Sequence, residues 1–260
     1  NNNTEHFNYA PVSGGVKITR SRNLTVTDSV FENNNGPGLW FDESCYNTTL
    51  TGDSFLSNGG NGLSYEISST GTFANNVATD NGAIGFKIND SDNVKMWNNT
   101  LGGNGRNIEI VEDTRRGANL SLPGHNPHRA QPDPTEPWII QNDTVANNLL
   151  LPGGANSLEV YANDTTGEYT AAGLGTVIDG NVFTGQGAPV IAWGLANKAL
   201  AQYRTAADFL SATGTGSHNV DASSASAAQA LSGTGVPIPQ NVADLIGVAA
   251  GDHQVGALSS

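Results

Sequence analysis

What most constrains this chain is a repeat. Five segments, Gly15-Val16-Lys17-Ile18-Thr19, Gly38-Leu39-Trp40-Phe41-Asp42, Gly62-Leu63-Ser64-Tyr65-Glu66, Gly85-Phe86-Lys87-Ile88-Asn89 and Asn107-Ile108-Glu109-Ile110-Val111, recur at steps of about 22–24 residues, a solenoid-like period. Each opens on Gly or Asn and then alternates apolar with mostly polar residues, the pattern of a strand with one buried face. A second short strand follows in each repeat (Asn23–Val26, Asn47–Leu50, Gly71–Phe73, Asn93–Met96), then a third (Ser29–Phe31, Ser54–Leu56, Asn76–Ala78, Asn99–Leu101), then an Asn at 34, 58, 81 and 104. Three short strands per turn predict an all-β chain, a right-handed parallel β-helix of ~22–24-residue coils. Asn suits the corners because it tolerates left-handed backbone and can hydrogen-bond to its own copy on the next coil. The columns Leu39/Leu63/Phe86/Ile108 and Phe41/Tyr65/Ile88/Ile110 are the expected core.

The repeat breaks after Asp113. Residues 114–137 hold Arg115, Arg116, His125, His128, Arg129 and five prolines, which is too long for a corner and reads as an excursion loop of the functional kind. Coils resume at Trp138, pass through Ser157–Tyr161 and end at Val190–Trp193. The expected division is therefore a β-helix over 1–194 and a cap over 195–260. Within the cap, Leu195, Leu200, Tyr203, Ala207 and Leu210 lie at helical spacing and predict a helix. A Ser/Ala/Gly-rich loop to Gly235, a short helix at Val242–Ile246 and a closing strand at Val255–Leu258 complete it. A solenoid needs such a cover over its last coil.

Composition narrows the function. With 32 glycines, 37% hydrophobic and 13% charged residues, the chain is no helical bundle. No apolar run approaches the ~18 residues of a membrane span, so no membrane insertion is predicted. A net charge of −13 argues against nucleic acid, and an acidic glycan would need a local basic patch or a bridging cation. The lone Cys45 excludes an intrachain disulfide and reads as a small buried residue. Trp97, Trp138 and Trp193 read as packing residues. The abrupt opening Asn1-Asn2-Asn3-Thr4 suggests that the natural chain extends further upstream.

Equivalent residues on successive coils stack at ~4.8 Å, which makes two outward columns: Lys17, Trp40, Ser64, Lys87, Glu109 and Thr19, Asp42, Glu66, Asn89, Val111. Asp42 and Glu66 are neighbours across one rung, with Trp40 beside Asp42 and Lys87 diagonal to Glu66. Two adjacent carboxylates repel, which raises one and leaves a proton donor beside a nucleophile or base. Adjacent rungs favour the short carboxyl separation of ~5–5.5 Å used in retaining glycoside hydrolysis. Asp42, Glu66 and Lys87 are the candidate catalytic residues. Trp40, as a flat face for a sugar ring, and Lys17, Asn89, Glu109, Arg115 and Arg116 are the candidate substrate contacts. A surface of solvated ion pairs uses the same residues. An elimination reading uses Lys17, Lys87, Arg115 or Arg116 as base and Asp42 and Glu66 to hold Ca²⁺. Ca²⁺ is the one cofactor the sequence offers. His125 and His128 lack clear partners for zinc.

The coils resemble the right-handed parallel β-helix proteins of the pectate-lyase-like group. The resemblance rests on Gly38-Leu39-Trp40-Phe41-Asp42, on Gly62-Leu63-Ser64-Tyr65-Glu66-Ile67-Ser68 and on the tail Gly251-Asp252-His253-Gln254-Val255-Gly256-Ala257-Leu258. It implies secretion and carbohydrate-active chemistry, a lyase or a glycosidase acting on a polysaccharide or oligosaccharide. No polygalacturonase or pectate lyase motif matches residue for residue. The sequence thus leads to a secreted polysaccharide-cleaving enzyme, with hydrolysis by the carboxylate pair ahead of elimination, and with a non-catalytic glycan-binding rod as the third reading.

Overall fold

Strands of two to seven residues cannot bury an apolar face alone, so each repeat satisfies its backbone on the repeats above and below. The computed structural model describes residues 14–153, 158–185, 188–231 and 233–258; the opening Asn1–Thr4 and Ser157 lie outside them. Three sheets result. Sheet A stacks Val16–Thr19, Leu39–Asp42, Leu63–Glu66, Ile84–Asn89, Arg106–Glu112, Leu158–Asp164 and Ile191–Gly194 in parallel, one from each of coils 1 to 7. Sheet B runs from Thr25–Thr27 to Val177–Asp179 and sheet C from Val30–Glu32 to Val220–Asp221, also in parallel order. The chain is an all-β parallel solenoid. Among the described residues, no helix is long and apolar enough to cross a membrane.

Register follows the repeat. Lys17 pairs with Trp40, Trp40 with Ser64, Ser64 with Lys87, and Lys87 with Glu109. Both expected inward columns are buried, and Phe55, Phe73, Met96 and Leu101 from sheets B and C join them. The aromatic rings interlock edge to face, with Phe55 and Phe86 at 5.7 Å and Tyr65 and Phe73 at 5.3 Å. Cys45 is buried.

Side-chain amides hold the corners. At the turn into sheet A, Asn34, Asn58, Asn81 and Asn104 are buried, and each of the first three donates to the Oδ1 of the next at 2.8–2.9 Å. Gly38 follows this ladder because a Cβ there would stand 2.7 Å from the Gly62 carbonyl oxygen. A second ladder joins Asn76, Asn99, Asn148, Asn181 and Asn219 between sheets B and C, at 2.9–3.1 Å. Asp53 occupies its outer rung.

The cap departs from expectation. Asn197 and Lys198 adopt left-handed backbone (φ 58 and 63) and turn the chain back. Leu200–Tyr203 is therefore a strand, antiparallel to Ile191–Gly194, in place of the expected helix over 195–210. The helix begins later, at Ala206–Thr213, with Thr205 Oγ1 accepting from the Asp208 N–H as N-cap. The Ser/Ala/Gly-rich stretch contains a short helix, Ala225–Gln229, and the expected helix near 242–246 spans Gln240–Ile246. Val255–Leu258 forms no strand. It crosses the coils, with the Ala257 N–H on Thr100 Oγ1 and the Leu258 N–H on Asn75 Oδ1, so side chains replace a ladder.

Candidate functional site

Period-two alternation turns every second residue of a sheet A strand outward, and the parallel register lines these residues into rows. Asp42 and Glu66 come from neighbouring strands, as expected, but each has its own cation. Asp42 Oδ2 lies 2.7 Å from Lys17 Nζ, and its Oδ1 accepts from the Glu43 N–H at 2.8 Å. Glu66 Oε1 lies 2.7 Å from an Arg115 guanidinium nitrogen, and its Oε2 accepts from Trp40 Nε1 at 3.1 Å. The repulsion between the two carboxylates is thus offset from both sides.

Trp40 is not the open platform expected. The residue is only 9% exposed, and Lys17 Nζ lies 3.8 Å above the ring centroid. Asn89 is buried and donates to the Val111 carbonyl at 3.1 Å, as a strut between rungs. Glu109 pairs with Arg106, whose guanidinium stacks on Tyr161 at 4.5 Å. Lys87 is half-buried, and its side chain has no hydrogen bond or ion pair among the described residues, although Glu109 is its register partner.

The excursion loop closes over the far edge of this face. Arg115 clasps three rungs. Its side chain meets Glu66 on coil 3, Asp90 Oδ2 on coil 4 at 2.8 Å and Asp113 Oδ2 after coil 5 at 3.0 Å. Arg116 turns inward to Glu112 at 2.6 Å and outward to Glu168 at 2.9 Å. A carboxyl raised by its surroundings does exist here, behind Arg115. Burial pushes Asp90 up to about 7, helped by its hydrogen bond with Asp113 and opposed by Arg115. Burial also pushes at Asp113, but the hydrogen bonds from Asp90 and Arg115 win and hold it below the ordinary range. The proton of that pair therefore resides on Asp90. Glu112 rises to about 8, chiefly by burial, although the Ile140 N–H and Arg116 pull it down.

Sequence reasoning passed over Asp90 and Glu112. The available signal was their register, two places beyond the inward column Ile88/Ile110, where the next coil carries Asp164. Among the described residues, no group of three His, Cys, Asp or Glu side chains is arranged to hold a metal ion. The oxygens offered to Ca²⁺ by Asp42 and Glu66 meet Lys17, Arg115 and Trp40 instead. His125 stacks on Trp138 at 4.3 Å and shares a hydrogen bond with the Asn119 carbonyl through Nε2, a packing role. Trp97, Trp138 and Trp193 are buried, as expected of packing residues.

Stacked parallel sheets with a charged outward row define a parallel β-helix protein. A family described as the right-handed β-helix region matches residues 1–121, which supports that assignment and the right hand of the coil. No curated protein matches the chain.

Proposed function

We propose that this is an extracellular carbohydrate-active protein of the pectate-lyase-like kind. It lays an acidic glycan along the outward face of sheet A and cleaves it beside Glu66. The observation that carries this reading is Lys87. In a chain with 24 acidic and 11 basic residues, a half-buried ammonium left without a carboxylate is a binding site for an anion. On the same face Lys17, Arg106, Arg115 and Arg116 all meet carboxylates.

A uronate carboxylate seated on Lys87 loses electron density, which acidifies the adjacent ring C–H. Glu66 is diagonal to Lys87, about 8 Å away at the backbone. Trp40 and Arg115 orient its carboxylate, and each oxygen keeps a lone pair to accept that proton. The electron pair of the C–H bond forms the ring double bond, and the glycosidic C–O bond breaks toward the leaving sugar, which takes a proton from water. Hydrolysis by Asp42 and Glu66 is the second reading, supported by their place on successive rungs.

The test incubates purified protein with polygalacturonate, alginate, xanthan and a neutral glucan, with and without Ca²⁺. It follows ultraviolet absorbance of unsaturated uronates and new reducing ends together. Elimination gives both signals, and Glu66→Gln and Lys87→Met abolish them. Reducing ends alone, lost in Asp42→Asn and Glu66→Gln, establish hydrolysis. Neither signal on any polymer, with glycan still retained, leaves a binding rod.

A further inference from the structure

Beyond the charged face, the excursion loop builds a cavity of about 410 Å³ whose lining includes three prolines (132, 134 and 137), Ile139 and Tyr169 together with the charged Arg116, Asp133 and Glu136. We infer that this cavity is a second sugar-binding subsite, one that takes a neutral pyranose unit of the same glycan. The inference rests on the functional reading above and adds a substrate class to it: a heteroglycan that alternates acidic and neutral units.

The cavity is built, not incidental. The outgoing and returning limbs of the loop are tied by the Gly117 N–H donating to the Pro137 carbonyl at 2.9 Å. They approach so closely that a Cβ at Gly117 would collide with the Glu136 carbonyl oxygen. The opposite wall is the turn after Leu158–Asp164. Asp164 accepts there from the Thr166 and Tyr169 N–H groups, both at 2.7 Å, and so fixes where Tyr169 stands. Arg116 bridges the walls through Glu112 and Glu168. Proline rings and a tyrosine on a held backbone lose little freedom on binding, which favours a preformed site.

The chemistry selects the occupant. Tyr169 is 40% exposed, and its ring with the prolines offers flat apolar surface to the C–H face of a pyranose. The cation of the cavity, Arg116, already meets two carboxylates, and Asp133 and Glu136 line the wall as well, so the cavity has no positive charge to spare for an anion, unlike Lys87. Position agrees. Glu66, Asn89, Val111 and Asn163 are successive register partners. The turn bearing Tyr169 is thus three rungs from Glu66, or about 14 Å along the axis. A glycan running along the axis from Lys87 reaches it a few sugar units away.

Affinity electrophoresis tests this, with wild type, Tyr169→Ala and Gly117→Ala run in gels holding xanthan, which mixes neutral and acidic units, or polygalacturonate, which is acidic throughout. Wild type is expected to be retarded more by xanthan. Tyr169→Ala, an exposed truncation that spares the fold, should weaken xanthan retention about tenfold and bring the ratio between the two polymers toward one. Gly117→Ala should do the same, and circular dichroism reports whether it folds. Wild type retarded by glycans, with Tyr169→Ala giving the same ratio, overturns the subsite and leaves the functional reading standing. Wild type retarded by no polymer overturns both.

Discussion

Asp53 stands where the ladder between sheets B and C calls for Asn, and replacing it should stabilise the protein in a pH-dependent way. The inner members Asn76, Asn99, Asn148 and Asn181 each donate Nδ2 twice, to the next Oδ1 and to a backbone carbonyl on the coil before: Leu50, Phe73, Met96 and Val145. Asp53 accepts from the Ser29 N–H at 2.9 Å, but its Oδ2 is buried without a partner. Burial pushes the carboxyl up from 3.8 to about 6; Asp28 adds to this, and the Ser29 and Thr51 N–H groups oppose it. A carboxyl raised on folding costs stability once it ionises. The penalty is absent below pH 3.8, grows as pH rises and is complete above about 6. At ~1.4 kcal/mol per unit it reaches about 3 kcal/mol at pH 8. Asp53→Asn removes that penalty and can donate to Asn76 Oδ1, a bond of about 1 kcal/mol. The expected gain is about 3–4 kcal/mol at pH 8, or roughly 10 °C in Tm for a chain of this size, and about 1 kcal/mol at pH 3.5. Thermal unfolding followed by circular dichroism at both pH values measures it. A gain that is equal at both, or absent at pH 8, refutes the reasoning.

Three further perturbations bear on the loop and the corners. Burial pushes Glu136 up to about 9, with Arg22 opposing and Asp92 and Asp133 adding. Wild-type stability should therefore fall steadily from about pH 4.5 to about 9, and denaturant titrations across that range should show a shallower fall in Glu136→Gln. Arg115→Ala leaves the buried Asp90 without its cation and should cost about 3 kcal/mol at pH 8 by urea unfolding, and less at pH 5, where Asp90 is protonated. Asn81→Ala removes the acceptor of the Asn58 N–H and the donor to the Phe55 carbonyl. Two buried backbone groups lose their partners, and equilibrium unfolding should register about 2–4 kcal/mol.

The solenoid was legible because its period, its alternation and its Asn34/Asn58/Asn81/Asn104 corners repeat without slippage for four coils. The second ladder was not, because Asp53 breaks its composition and the loop lengthens its spacing after Asn99. The two outward columns follow from register alone, so the successive-rung placement of Asp42, Glu66 and Lys87 was legible. Their partners were out of reach. Arg115 is far from Glu66 in sequence, and the cover of Lys17 over Trp40 is a rotamer choice. The cap misled because its deciding event, the left-handed pair Asn197 and Lys198, carries no strong turn signal at Lys198, while Leu200 and Tyr203 fit a helical spacing by coincidence.

The ladder between sheets B and C has one more consequence. Asn76 reaches Asn99 at 3.0 Å across 23 residues, and Asn99 reaches Asn148 at 2.9 Å across 49. The additional length, which contains the excursion loop, does not alter the spacing of the rungs. The spacing of the rungs is therefore indifferent to the length of the loop, while Arg115 and Arg116 at its start stay tied to the frame. Grafting a different loop between Arg116 and Trp138, which leaves Arg115 on Asp90 and Arg116 on Glu112, should alter what the protein recognises while the rungs keep their spacing.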